Sequence, residues 1–208
     1  MSMDTVGGRG ISGLLAGTDS PSADTMRGLH RKLEEDSRQA GILDVAYTTI
    51  DTPVGTLLLA ATERGLIRVA YDREDLDRVL EVLGTKVSPR ILRAPRRLDA
   101  AAVQIDEYFG RTRRTFDVSL DPLLSTGFRR AVQSTLPRIG YGTTQSYQQV
   151  AASVGDPRAV RAVASACATN PLPIVVPCHR VLRTDGGLGG YIGGLTAKTA
   201  LLKLEIAV

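Results

Sequence analysis

Cysteine and histidine are scarce in this chain: its 208 residues include two of each. Residues 1–166 hold no cysteine and a single histidine, His30, read here as a surface residue. A zinc site built from those two ligand types is therefore excluded over that span, and no metal or other cofactor is expected. The two thiols, Cys167 and Cys178, could in principle pair. Residues 1–20 lack a basic start followed by an apolar core, so no secretory signal is visible. Free thiols in a reducing cytoplasm are the expectation. No run of about 18 apolar residues occurs, which excludes a membrane-spanning helix. There is no internal repeat. Acidic residues are also thin toward the C-terminus. Residues 127–208 carry nine basic and three acidic groups, net +6, whereas 1–40 carry five and six and 41–126 twelve and thirteen, each net −1. Concentrated positive charge suits an anionic polymer such as nucleic acid, although domains that never touch one can share it.

With 43% hydrophobic and 23% charged residues, the composition is that of a globular protein. The length suits one substantial domain or two small ones sharing an interface. Residues 1–26, rich in Gly, Ser, Asp and Thr, read as a loose tail, and 30–38 as a charged helical segment. Residues 43–50, 55–61 and 65–71 read as three strands with turns between them. Residues 75–83 place Leu76, Val79, Leu80 and Leu83 on one helical face, and a second helix covers about 98–109. Between them, 88–97 is rich in Arg and Pro, and Arg111 to Arg114 mark a solvated junction.

Beyond that junction a helix is expected over 126–136, with Phe128, Val132 and Leu136 on its inner face. Residues 141–144 form a turn. Ser146-Tyr147-Gln148-Gln149 matches a capping box and opens a short helix to about Val154. Gly155 ends it. Asp156 then caps another helix with Pro157 at its first position, running to about Thr169. Two short helices joined by a tight turn make a helix-turn-helix candidate. In the second, Ala159, Ala162, Val163 and Ala166 share one face, Val160, Ala164 and Cys167 another, and Arg158, Arg161 and Ser165 the third. Such small side chains allow either tight packing on a neighbouring helix or close approach to a DNA groove, and spacing alone leaves both open.

Ile174-Val175-Val176 is a strand-like apolar run halted by Pro177, which delivers Cys178 and His179 side by side. A structural cysteine needs neither neighbour. A thiolate nucleophile gains from both.

Tyr147-Gln148-Gln149, Arg158-Ala159-Val160-Arg161-Ala162-Val163, Asn170-Pro171, Pro177-Cys178-His179-Arg180-Val181 and Gly189-Gly190-Tyr191-Ile192-Gly193-Gly194 occur in that order, followed by a helix with Lys198 that ends at Glu205. In this order the motifs resemble the methylated-DNA–protein-cysteine methyltransferases, which repair 6-O-methylguanine. The glutamate lies 27 positions after the cysteine and the tyrosine 31 before it. The resemblance covers 127–206 strongly. It extends back to about 43, where Asp51-Thr52-Pro53-Val54-Gly55 is similar to the start of the family's N-terminal domain, and is absent over 1–40.

The resemblance implies an α/β fold: a small N-terminal antiparallel sheet with helices over 41–120, then a mainly helical part over 121–208 holding the site and the helix-turn-helix. Residues 1–40 are an extension of unknown role. It implies irreversible, single-turnover transfer of an alkyl group from guanine to Cys178, in a cytoplasmic monomer acting on double-stranded DNA without a cofactor. His179 and Glu205 would form a water-bridged relay drawing off the thiol proton. An unperturbed thiol of pKa ~8.5 is roughly 3% ionised at neutral pH, so full ionisation would gain only ~30-fold. On that footing most of the acceleration falls to alignment and to stabilising the departing guanine. Tyr147 would reach the base's N3, and the Ile192 N–H the 6-oxygen. The Cys178 and Val181 carbonyls would accept from the exocyclic amine, Tyr191 would help line the pocket, and Asn170 would brace the turn. Arg158, Ala159, Ala162, Ala164 and Ser165 would face DNA, with Arg161 filling the gap left by a nucleotide flipped out through the minor groove.

The chain departs from the family pattern in places. Ile192 stands where several members carry a small residue, which should spare methyl transfer but narrow the choice of larger alkyl groups. Val160 replaces an alanine of some members, and the zinc ligands that some members carry in the N-terminal domain are missing. Two other classes compete. A non-catalytic damage sensor is disfavoured by Cys178, and a cysteine hydrolase by the adjacency of Cys178 and His179.

Overall fold

The computed structural model describes residues 22–206. Three strands, β1 (Val45–Thr52), β2 (Gly55–Thr62) and β3 (Gly65–Tyr71), form an antiparallel meander. The β1–β2 turn closes at Thr52 and Gly55, where the Thr52 hydroxyl donates to the Gly55 carbonyl at 2.7 Å. Helix α2 (Leu76–Lys86) leads to a short fourth strand, β4 (Ile91–Arg93), which pairs parallel to β1 and gives the sheet order β3-β2-β1-β4. The sheet is thus mixed, not purely antiparallel as expected. The fourth strand was hidden because three residues between Pro89 and Pro95 carry too little apolar pattern to stand out.

β2 reads Gly-Thr-Leu-Leu-Leu-Ala-Ala-Thr and is buried on both faces. Strand alternation divides it. Leu58 and Ala60 join Val45, Ile67, Val79 and Leu83 under α2. Leu57 and Leu59 join a larger core with Ile105 and Tyr108 of α3 (Asp99–Phe109), and that core runs on into the C-terminal helices. Each buried leucine contributes about 1.5–3 kcal/mol.

The second half comprises α4 (Gly127–Thr135), β5 (Gln145–Ser146), α5 (Tyr147–Ser153), α6 (Val160–Ala168), β6 (Val181–Leu182) and α7 (Gly194–Ile206). β5 and β6 pair parallel. Val132 and Leu136 are fully buried, but Phe128 is exposed, one turn too early to reach the core. The capping box at α5 is present in both directions, Ser146 Oγ accepting from Gln149 N–H and Gln149 Oε1 from Ser146 N–H.

Two helix starts differ from expectation. α6 begins at Val160, because Asp156 Oδ1 accepts from Arg158 N–H and its carbonyl from Ala159 N–H, a turn that consumes Pro157 and Arg158 before the helix opens. The segment read as 30–38 is part of a longer helix, α1 (Ala23–Gln39), capped by the Ser22 side chain. Residues 22–26, read as tail, thus belong to α1 and its cap, while the same expectation for 1–21 lies outside the described residues. His30 is half-buried, with its Nε2 hydrogen-bonded to the Arg93 carbonyl.

Candidate active site and nucleic-acid interface

Every residue from Asn170 to Val181 is buried, so the cysteine sits on a loop folded inside the protein. Ile174 takes a φ of 74°, a left-handed conformation costly for a β-branched side chain. Asn170 holds this strained turn from within. Its Oδ1 accepts from Leu172 N–H at 3.0 Å, and its Nδ2 donates to the Val176 carbonyl at 2.8 Å and to Cys178 Sγ at 3.1 Å. The sulfur therefore faces a fixed N–H. Burial nevertheless pushes the Cys178 thiol up to about 11, the Asn170 bond and the Lys198 charge offsetting only part of the desolvation. At neutral pH such a thiol is ionised in roughly one molecule in ten thousand. The sequence-based figure of a few per cent assumed an exposed thiol and understates the barrier to ionisation.

His179 sits in a short 3-10 turn, Cys178–Arg180, with its Nε2 directed at α7. His179 Nε2 lies 2.8 Å from Glu205 Oε1. Glu205, nearly absent from the surface, is a hub. It accepts from Arg180 Nε at 2.9 Å and Nη2 at 2.9 Å, from the Tyr108 hydroxyl at 2.7 Å and from Gly142 N–H at 3.1 Å. Burial alone would raise its carboxyl, but the bonds from His179, Arg180 and Tyr108 outweigh it and hold it at about 2. Burial likewise pushes His179 down, against the pull of Glu205. His179 is then a neutral ring whose Nε2–H donates to the carboxylate, and the negative charge is matched by Arg180. This tautomer leaves Nδ1 as a lone-pair acceptor. Nδ1 is buried and has no hydrogen-bond partner among the described residues.

Tyr147, at the start of α5, is buried, and burial pushes its phenol up to about 12, so it remains a donor. Its ring is covered by the loop carrying the glycines: a Cβ on Gly189 would lie 2.5 Å from the Tyr147 oxygen. Lys198 of α7 pins the same loop. Its buried Nζ donates to the carbonyls of Val181, at 2.7 Å, and Leu188, and sits 5.9 Å over the Tyr147 ring. The Val181 carbonyl expected to read a base thus already serves Lys198 with one lone pair. Tyr191 is buried edge-on to His179, 6.4 Å between ring centres, while Ile192 is half-buried beside it.

α5 and α6 pack together, and α6 also packs on α4, where Gln133 Nε2 donates to the Ala166 carbonyl at 2.9 Å. Val163, Ala166 and Cys167 face inward. Cys167 is unpaired and fully sheltered, its thiol raised by burial. Arg158, Arg161, Ala162 and Ser165 form the exposed row, with Ala159, Val160 and Ala164 half-buried at its margins. Ala162, assigned from spacing to the face of Val163, turns outward instead. Neither arginine pairs with an acidic side chain among the described residues.

Two family models match the chain, together spanning nearly all of it after α1. The 6-O-methylguanine DNA methyltransferase DNA binding domain matches residues 127–207, and the ribonuclease-like domain of the same family matches 45–122. The chain belongs to the 6-O-methylguanine DNA methyltransferase family. It is 38% identical over 159 residues to a methylated-DNA–protein-cysteine methyltransferase of Methanosarcina barkeri, covering 76% of this chain and 96% of that one. It is 40% identical over 163 residues to the constitutive counterpart in Bacillus subtilis, covering 76% and 94%. Among solved structures it is similar to Mycobacterium tuberculosis OGT in complex with DNA, with a TM-score of 0.68 and 38% identity, covering 78% of this chain and 93% of that one.

Within this methyltransferase family member, sequence reasoning missed three residues of the site. Arg180 stood inside the quoted motif without a role, and only the fold shows that it neutralises Glu205. Tyr108 lies 97 positions from Glu205, on a helix that reads as ordinary amphipathic sequence. Lys198 was visible as a lysine in an apolar helix, the one local signal that could have marked it. Among the described residues no cluster of His, Cys, Asp or Glu could hold a metal, and no helix is long and apolar enough to cross a membrane.

Proposed function

We propose that this methyltransferase homologue repairs 6-O-methylguanine in double-stranded DNA by moving the methyl group onto Cys178. The observation that carries the reading is the buried thiol bonded by a fixed Asn170 N–H and followed in the chain by a histidine that burial keeps neutral and an ionised glutamate orients. The sulfur attacks the methyl carbon as the carbon–oxygen bond breaks. Its electron pair leaves on the guanine, and the thiol proton passes to His179. A water between Nδ1 and the sulfur completes the relay, a role favoured by the unpartnered Nδ1. The S-methyl thioether has no leaving group that the site could activate, so each molecule acts once.

A base inside a duplex cannot reach a loop this deeply buried, and the target nucleotide is flipped out. The exposed row of α6 supports docking in the minor groove, with Arg161 taking the extruded nucleotide's place. Tyr147 and the Ile192 N–H are assigned to N3 and the 6-oxygen of guanine, and the Cys178 and Val181 carbonyls to its amine. Residues 41–120 and 121–208 are assigned as separate functional domains, the first without direct DNA contact, in a cytoplasmic monomer with 1–40 as an extension. The boundaries of the two family matches support that division.

The test is incubation with duplex DNA containing one 6-O-methylguanine, followed by intact mass and peptide mapping. A single methyl per molecule on Cys178 is expected. No gain of mass, or continued turnover by the unmodified protein, would overturn the reading in favour of a sensor or a hydrolase.

A further inference from the structure

The N-terminal sheet reaches the site through the end of one strand. β3 is buttressed against both loops that frame Cys178. On one side Val69 N–H donates to the Pro171 carbonyl at 2.8 Å, and Arg68 Nη1 donates to the same carbonyl at 3.2 Å, next to Asn170. On the other side Tyr71 meets the glycine loop. The hydroxyls of Tyr71 and Tyr191 lie 2.9 Å apart, and their rings pack edge to face at 5.9 Å between centroids. A Cβ on Gly193 would fall 2.5–2.8 Å from three atoms of the Tyr71 ring, and one on Gly194 2.1 Å from an Arg73 nitrogen. Tyr71 itself is fixed: its N–H donates to Glu74 Oε1 at 2.8 Å, and Glu74 pairs with Arg68. A fully buried ring on an anchored strand cannot yield to the loop, so the loop must conform to the ring.

We propose that Tyr71 is a positioning residue for alkyl transfer, setting through Tyr191 and Gly193 the path of the 188–194 loop that walls the pocket beside Cys178. The proposal rests on the alkyl-transfer reading above. Tyr71 touches no reacting atom. It fixes where the Ile192 N–H points, and so how well that donor meets the oxygen that gains charge as the methyl group leaves. The positions in sequence conceal this, because Tyr71 and Tyr191 are 120 residues apart and belong to different halves of the chain.

The test uses the full chain and free 6-O-methylguanine base, which removes flipping from the rate. Tyr71→Phe keeps the ring and deletes only the hydroxyl pair. It should slow transfer roughly tenfold, the usual scale for one buried hydrogen bond, while the pH profile and the duplex affinity stay as in wild type. Gly193 does not take a positive φ, so Gly193→Ala is blocked by the Tyr71 ring and not by a left-handed backbone. Gly193→Ala should cost more than tenfold when Tyr71 is present and add little in a Tyr71→Ala background. Thermal melts of all four proteins check folding, and the Phe variant stands if Tyr71→Ala does not fold. A Tyr71→Phe rate equal to wild type, a changed pH profile, or a Gly193→Ala loss that ignores the ring would overturn the positioning role. Should wild type itself gain no methyl group, the alkyl-transfer reading falls and takes this proposal with it.

Discussion

A buried thiol at about 11 makes the proton the central cost at Cys178. Lifting the thiolate from one part in ten thousand to full population is worth about 5 kcal/mol, so a base can supply far more than the ~30-fold inferred for an exposed thiol. His179, neutral because burial lowers it, is available as that base from mildly acidic pH upward. Wild-type transfer should therefore be nearly flat between pH 7 and 9. His179→Gln should be slower by up to about a thousandfold at pH 7 and gain about tenfold per pH unit, since only the thiolate then reacts. A His179→Gln rate that stayed flat across that range would show that His179 holds structure and moves no proton. Cys178→Ala should lose all transfer and keep duplex affinity. Cys167→Ala, at a buried thiol that makes no hydrogen bond among the described residues, should stay within a few-fold of wild type in both assays.

Helix α6 owes its exposed row to the inward packing of Val163, Ala166 and Cys167, which leaves Arg161, Ala162 and Ser165 outward. Small side chains there let the backbone approach a groove about 6 Å wide. Ala162→Leu should weaken duplex binding about tenfold and leave reaction with free base unchanged. Arg161→Ala tests a different role. As a wedge it should slow repair in duplex far more than reaction with free 6-O-methylguanine, and Arg161→Lys should recover little because an ammonium stem cannot stack. Equal losses on the two substrates would reduce Arg161 to a phosphate contact, visible as a salt slope smaller by about one unit.

The whole molecule is tied together at Glu205, where α3 through Tyr108, the 141–142 turn, the Cys178–Arg180 turn and α7 meet on one carboxylate. Its folded value of about 2 lies below its ordinary 4.5, so its ionised form stabilises the native state above pH ~4.5. That contribution, about 3 kcal/mol, is lost as pH falls from 4.5 toward 2. About 2 kcal/mol of it is gone by pH 3, so urea unfolding at pH 7 and pH 3 should show wild type losing at least that much on acidification. Glu205→Gln should start less stable at pH 7, with Arg180 left unmatched, and lose about 2 kcal/mol less on going to pH 3. An unchanged acid response in the variant would mean that other carboxylates govern acid unfolding.

Local chemistry was legible without the fold. Strand alternation in 55–62, the capping box at Ser146, the proline-halted run before Cys178 and the small residues around Arg161 are written within a few positions of each other, where backbone sterics and neighbouring hydrogen bonds decide the outcome. Motif order was enough to suggest the family. What required tertiary structure were the parts set by distance in space. β4 has too few residues to announce itself, and α6 lost its first turn to an Asp156 bond that competes with the helix. The acidity of Cys178 depended on how deeply its loop is buried. Tyr71, Tyr108 and Arg180 act through partners, two of them about a hundred residues away, that no sequence period connects. Sequence named the nucleophile and its immediate neighbours; only the packed core fixed their charges, tautomer and supports, because desolvation and long-range hydrogen bonds exist only once the chain has closed around them.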